Sequence, residues 1–572
     1  MLNALLRKGR QLAADPVLRR WLGLRVLGRT PAEPGFTPHH PPYLGAEWSG
    51  LPPERPATAL AASPFDTPTT PLVMRLAGKT VTVMPGEEQA LMDRAFADIE
   101  TRLSFHRFAW VPLRAAETDH RWVGAIWRAW VSAFGCPDGS HAWHPYTAAE
   151  RAINLLDFAR VHGLPDGAAP VLAAHGPVIA AKLEWFGDHH TSNHCANNGR
   201  GLYLLGLALG MERATQAGAR ILTEEAKRLF HPSGVLREAS THYHLLLTRQ
   251  WASVWLAALA HGRPEAPAFE VTLRRAMAVL PHFNLPGGLP LIGDVSPDCP
   301  PGHLLGLIPG GDALTGWTGL LTPDQREALL ALRDAVTPVD TAALAGDGWL
   351  RRDIGPWSAL FHAEPGGWSP MPGHGHQDCG APEIHFGGEA IFVDPGRGSY
   401  ELAGEADPYV AGASHGGLLV DGADPYPQNR PYYAPSFRHR AAGTAEIGIT
   451  ATGAAVTHGG LRRLGIDRVE RVWSFAPEYL LIDDCVAASR GRHCVIRRLV
   501  TPLEVSLIAD AAILRSPASG RRFRVSAETG RLDIEPITLW SAYGEGRAGT
   551  ALVFRHIGRL PWQGRLTIEV LD

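Results

Sequence analysis

Trp357-Ser358-Ala359-Leu360-Phe361-His362-Ala363, then Gly373-His374-Gly375-His376-Gln377-Asp378, then Glu383 to Val393 running into Asp394-Pro395-Gly396, is the stretch that decides the fold. Its first and last segments alternate apolar and polar residues, and Gly387-Gly388 sits between the two arms of a hairpin. Everything from about 87 to 335 reads differently, with apolar residues at three- and four-residue spacing. The period therefore changes near 349, from helices to strands. In an extended strand His374 and His376 share a face. Asp394 follows His376 by 18 residues, and His415 follows Asp394 by 21. Imidazoles and a carboxylate are the usual zinc ligands, so these side chains make a candidate metal or catalytic site.

Upstream of the switch, Ala90–Leu103, Arg121–Phe134, Thr147–His162, Ala168–Trp185, Gly199–Ala217, Ile221–Phe230, Thr241–Ala260 and Phe269–Leu280 carry the helical pattern, joined by short Gly- or Pro-bearing loops. Consecutive helices of this length suggest an α/α array or toroid. Downstream, Val469–Phe475, Tyr479–Asp483, His493–Val500 and Leu566–Val570 continue the strand pattern with no long helix between them. The expected class is α+β and multidomain: a basic segment and Pro-rich strap at 1–86, an α/α toroid (an incomplete α/α barrel) at 87–340, and an antiparallel β-sandwich at 341–572.

Composition agrees with a folded protein. Of 572 residues, 45% are hydrophobic and 19% charged, which excludes global disorder. The net charge of −3 supplies no field for nucleic acid, and no nucleic-acid-binding motif is present. The six cysteines form no CxxC and read as free thiols, although Cys485 and Cys494 are close enough for a hairpin pair. No apolar run reaches membrane-spanning length. The N-terminal stretch is basic (Arg7, Lys8, Arg10, Arg19, Arg20, Arg25, Arg29), but Arg19-Arg20 interrupt its apolar core, so no signal peptide is read. Trp21–Leu27 suits either an anionic membrane surface or, better, a helix packed on the body. A cytoplasmic location is expected, with a periplasmic one left open.

Four segments in order resemble the heparinase II/III-like polysaccharide lyases. They are Ser192-Asn193-His194 heading a helix; Gly234-Val235-Leu236-Arg237-Glu238-Ala239-Ser240-Thr241-His242-Tyr243-His244; the Gly373–Asp378 segment with Val393–Gly396; and Ser414-His415-Gly416-Gly417 running to Asp421-Gly422. Trp143 and Tyr146 to Asn154 also look like a family helix. One departure is Gly416, where the family usually has Asn, which is expected to alter a hydrogen bond without removing a metal ligand. The resemblance implies an α/α toroid joined to an antiparallel β-sandwich and a β-elimination on a uronate-containing anionic polysaccharide or oligosaccharide. Such a reaction needs a donor to the uronate carboxylate, a base for the C5 proton and an acid for the C4 oxygen.

Asn193 and His194 fit the first need, although Asn193 also suits a helix N-cap. Tyr243 fits the acid, and if ionised it could also serve as base, a step that needs nearby cations. His374 fits the base or a carboxylate partner, so either residue could abstract the proton. Matched residue by residue, His376, Asp394 and His415 imply a divalent metal, zinc by preference and mainly structural; Asp394 equally suits a plain Asp-Pro-Gly turn. Glu238, His244, Arg397, Tyr400 and Arg430 are candidates for the substrate wall, with Tyr432 and Tyr433 beside them. A uronyl C5-epimerase on the same fold, and a non-catalytic glycan-binding or polysaccharide-assembly protein, remain alternatives. A hydrolase would need a pair of carboxylates that does not stand out. With no signal read, the protein either acts on imported oligosaccharides or is exported in some other way; the first would favour an exo-type enzyme on short chains. A homodimer stays open.

Overall fold

The computed structural model describes all residues except 1–11, 14, 34, 49–50, 115–118, 188–189, 191, 369–372, 402–403, 442, 489–490 and 572. Arg7, Lys8 and Arg10 of the basic segment lie outside the described residues. The helix Pro16–Val26 is capped by Asp15, whose carboxylate accepts from the Leu18 amide at 2.9 Å. It packs on the body through Trp21, whose ring lies 4.8 Å from Tyr432 and 5.7 Å from Tyr433.

A hairpin, Leu72–Leu76 with Lys79–Val83, stands at the end of the expected strap and the start of the helical region. Leu72, Met74 and Leu76 are buried while Val73 and Arg75 are exposed, an alternation present in the sequence but masked by the prolines before it. The helices follow. Three expected helices are broken; one of them, Ala168–Trp185, becomes Ala168–Ala173 and His175–Ala181. Ala90–Leu103 becomes Glu88–Met92 and Ile99–His106, the second started by Asp98. Gly199–Ala217 is split by Gly210, which is left-handed (φ 66°) and ends Asn193–Leu209; the next helix is Glu212–Leu229. A Cβ at Gly210 would meet Thr58 Oγ1 at 2.9 Å, so the strap presses on this turn.

The helical region is succeeded by antiparallel sheets, as the change of period predicts. The last helix of the region is Thr341–Gly346 and the first strand after it is Trp349–Ile354. One four-stranded sheet runs Trp349–Ile354, Trp357–His362, Pro382–Phe386, Glu389–Phe392 in order. Both hairpin glycines have positive φ (Gly387 56°, Gly388 87°), which a two-residue turn of this hand requires. An eight-stranded sheet and a second four-stranded sheet complete the region, and every strand pair is antiparallel. The expected strands run longer than their patterns: Ile466–Ala476 pairs with Tyr479–Ala488 over its whole length. The sheets share one core in which Phe361, Trp473, Leu499 and Leu552 are all buried, with Phe361 and Trp473 rings 4.6 Å apart. All six cysteines are free thiols.

The segment 373–378 is not a strand. Its glycines leave it irregular, and what brings His374 and His376 together is a carboxylate they both reach.

Candidate active site

That carboxylate is Asp294. It lies in Leu291-Ile292-Gly293-Asp294, a buried loop of the helical region. Gly293 is left-handed (φ 81°), and a Cβ there would strike the Ala239 carbonyl at 2.6 Å and the His374 carbonyl at 2.7 Å. The Asp294 amide donates to the His374 carbonyl, and the His374 amide donates to the Glu238 carbonyl, each at 2.9 Å. Three remote segments are thus stitched through their backbones.

Asp294 Oδ2 is 3.1 Å from His374 Nδ1, and Oδ1 is 2.9 Å from His376 Nε2 and 3.4 Å from Arg397 Nη1. Burial alone would raise this carboxyl's pKa, but the two histidine bonds outweigh it and hold it below the usual carboxylate range. A carboxylate accepts only, so His374 donates from Nδ1 and keeps its lone pair on Nε2. Asn193 Nδ2 lies 3.3 Å from that nitrogen and donates at 3.0 Å to Glu238 Oε2. The N-cap of this helix is Ser192, not Asn193, so the Asn193 amide faces the cluster.

His194, on the same first turn, is held by Glu184 at 2.7 Å from Nδ1. Desolvation lowers the imidazole's pKa, yet Glu184 prevails and the net shift is upward. Glu184 also accepts from Asn198 at 3.1 Å. The Tyr146 ring packs 4.7 Å from His194, and the Arg107 guanidinium lies over Tyr146 at 4.9 Å.

Tyr243 sits in the first turn of Thr241–Ala260, where Ser240 caps by accepting from its amide at 3.1 Å. Its ring stacks on His374 with centroids 3.4 Å apart and 14° between planes. Its hydroxyl is 2.9 Å from Tyr400 OH, which in turn donates to the Val295 carbonyl at 2.9 Å. A carbonyl can only accept, so Tyr243 donates to Tyr400. Burial pushes both phenols well above their ordinary pKa, so both keep their protons at neutral pH. The cations that would ionise Tyr243 do not prevail here.

His376, Asp394 and His415 each bring one ligand atom within 4.8 Å of the others. His415 Nε2 is 2.9 Å from the Tyr409 carbonyl and so carries hydrogen; Nδ1 then meets Asp394 Oδ2 at 2.7 Å. In the neutral ring two lone pairs face each other there, an arrangement that calls for a cation or a proton between them. The donor set fits zinc. Asp394 serves both readings, because its Oδ1 also accepts from the Gly396 amide at 2.9 Å in an ordinary Asx turn. Gly416 gives its carbonyl to Arg471 at 3.0 Å.

The structure thus gathers Asn193, His194, Glu238, Tyr243, His374, Arg397 and Tyr400, with His376, Asp394 and His415 behind them. It does not gather His244 or Arg430. His244 is wholly buried, accepts from the Leu236 amide at 3.2 Å and donates to the Ala276 carbonyl at 2.9 Å; burial depresses it to about 4. Arg430 pairs with Asp15 at 3.1 Å and ties down the N-terminal helix. Tyr433 is buried in that same contact. Asp294 and Glu184 were not read from the sequence. The one available signal is a single acid after glycine in an apolar run (Leu291 to Val295), a weak pattern by itself.

Residues 337–558 match the family model described as Heparinase II/III-like, C-terminal. No curated protein sequence matches the chain. Among solved structures, "Crystal Structure of Heparinase III" is similar with a TM-score of 0.61 at 15% identity, over 84% of this chain and 79% of that one. A heparan sulfate lyase, HepC from Pedobacter heparinus, is similar with a TM-score of 0.52 at 15% identity, over 86% and 80%. The family resemblance carried by the motifs is therefore found again in an independent match and in the fold. Residues 337–558 are thus similar to the heparinase II/III-like C-terminal family, and the fold of the chain is similar to that of heparinase III.

Proposed function

We propose that the protein is a polysaccharide lyase that cleaves a uronate-containing glycan by β-elimination. The observation that carries this reading is the arrangement of His374 between Asp294 and Asn193, stacked on a protonated Tyr243. In this reading the uronate carboxylate takes the Asn193 Nδ2 hydrogen now directed at His374 Nε2, which frees that nitrogen, and together with the His194 cation this neutralises the carboxylate and makes the C5 proton acidic. His374 Nε2 takes that proton, and Asp294 stabilises the imidazolium that forms. The C4–O bond breaks as the C5 electrons form the double bond, and Tyr243 gives its proton to the departing oxygen. Tyr400, fixed on Val295, holds the Tyr243 hydroxyl; after the product leaves, His374 gives its proton to solvent and Tyr243 regains one from solvent. Arg397 offers a further cation to an anionic substrate.

A divalent metal on His376, Asp394 and His415, zinc by donor set, would supply structural anchorage of the loops that carry them. His376 would then hold Asp294 from the side opposite His374.

The test is incubation with heparan, chondroitin, hyaluronan, alginate and gellan-type glycans, following the ultraviolet absorbance of the new double bond. Wild type should show a rise on at least one, and Tyr243→Phe should reduce it by roughly 10²-fold or more. Deuterium uptake at C5 without cleavage would replace this reading with the epimerase. No reaction on any of them would favour the glycan-binding protein.

A further inference from the structure

A cavity of about 770 Å³ lies within the helical region; one end reaches Tyr146, Ser296 and Asp298 beside the cluster above, and the rest runs away from it along the helices. Its long walls are the helices Pro145–His162, Asn193–Leu209 and Thr241–Ala260, whose amino ends carry Tyr146, Asn193 and Tyr243. Down the third of these, Leu246, Arg249, Ser253, Ala257 and Ala260 line it at helical spacing. At the carboxyl ends of these helices Val161 is 70% exposed and Ala260 and His261 are exposed. At 1.5 Å per residue that end of the cavity lies roughly 25 Å along the helices from their amino ends, where the catalytic cluster sits. The Pro-rich strap forms the rim: Ala59 and Leu60 line the cavity, the Ala57 amide bonds the Leu209 carbonyl at 2.8 Å, and the Leu164 amide bonds the Ala61 carbonyl at 2.9 Å.

The walls are chiefly leucine, alanine, isoleucine and Trp317, with Asn154, Arg160, His162, Ser253, His303 and Gln325 among the polar side chains between them, so a largely apolar ligand with one polar end suits them. Among the charges inside, Glu150 is paired with Arg200 at 2.8 Å and Asp298 with Arg107. Burial raises the Asp157 carboxyl against the pull of Arg160, Arg200 and Arg249, and among the described residues no hydrogen bond joins it to Arg249. Arg249 differs. Among the described residues its guanidinium makes no hydrogen bond or ion pair, and its Nε is buried. A lone guanidinium in an apolar shaft recognises a carboxylate that brings its own apolar tail.

We propose that this cavity is a second ligand site, taking an amphipathic monocarboxylate of the fatty-acid class. The carboxylate pairs with Arg249, and the chain lies along the wall toward the strap, about 16 Å from Arg249 to Ala260 at helical rise. The site is independent of the lyase reading, because its occupancy is read without any glycan.

The experiment is fluorescence titration of the full-length protein with cis-parinaric acid, displaced by laurate. Saturable binding is expected, and lauryl alcohol should compete about tenfold worse than laurate. Arg249→Met should weaken binding about tenfold or more, and Ala257→Phe, which fills the shaft, should abolish it. Thermal unfolding of both variants checks that they fold; if Arg249→Met does not, Ala257→Phe and the alcohol comparison still decide. Absence of saturable binding, binding that the folded variants retain, or displacement of the probe by a uronate tetrasaccharide would overturn the proposal.

Discussion

Asp294 accepts from two histidines that sit two residues apart and serve different ends. His374 donates to it from Nδ1 and keeps its lone pair on Nε2; His376 meets it through Nε2 and belongs to the candidate metal group with Asp394 and His415. Asp294→Asn keeps the shape but turns an acceptor into a partial donor. In the lyase reading kcat should fall by roughly 10²–10⁴-fold with KM little changed, measured by steady-state cleavage; unchanged kcat would remove Asp294 from the mechanism. Glu184 supplies a pH prediction. It raises the His194 pKa, so the cation survives to higher pH than an ordinary histidine near 6.5. Activity should therefore fall as pH rises through that raised value. Glu184→Gln removes the charge and should move this alkaline limb to lower pH in the kcat/KM profile. An unmoved limb would mean that His194 is not the group titrating.

At the scale of elements, the site depends on how helices begin and loops close. Ser192 and Ser240 cap the helices that present Asn193 and Tyr243, which places both side chains in a first turn facing the sheets. Gly293 permits the backbone approach that binds the Asp294 loop to Glu238 and His374. Gly293→Ala combines a left-handed φ with two carbonyl collisions. It should cost about 1–3 kcal/mol, seen as a lower midpoint in denaturant unfolding. A midpoint equal to wild type would show that the loop relaxes freely. The two histidines beside Tyr243 illustrate the same scale: His242 accepts from the Ser296 amide at 2.9 Å and His244 from the Leu236 amide, so both hold backbone rather than substrate.

For the whole molecule, the cluster joins residues of the helical region to residues of the sheets, and the proposed metal loops lie on the sheet side. If His376, Asp394 and His415 hold zinc, chelation should lower the thermal midpoint and a zinc assay should find about one ion per chain. His376→Ala should lose the ion and the chelator sensitivity together. A chelator-insensitive midpoint with no bound metal would leave His415 and Asp394 as a charged hydrogen-bonded pair instead. Among the described residues no helix is long and apolar enough to cross a membrane.

The change from helical to alternating periodicity near 349 was legible because periodicity is a local property. So were the hairpin glycines, while Asn193, His194, Tyr243, His374, His376, Asp394 and His415 were candidates through the family resemblance; the caps were not, since Ser192 rather than Asn193 caps its helix. Helix ends were less so: Gly210 breaks a continuous apolar pattern through a contact with Thr58, some 150 residues away in the chain. The Asp294 hub, the Glu184 clamp on His194 and the removal of His244 and Arg430 from the site were decided by tertiary structure alone. Each depends on which side chains meet across long separations, such as Asp294 with His374 or Arg430 with Asp15. A single sequence records residue types and local spacing; burial and hydrogen-bond partnership, which make one histidine a base and another a core strut, exist only once the chain is folded.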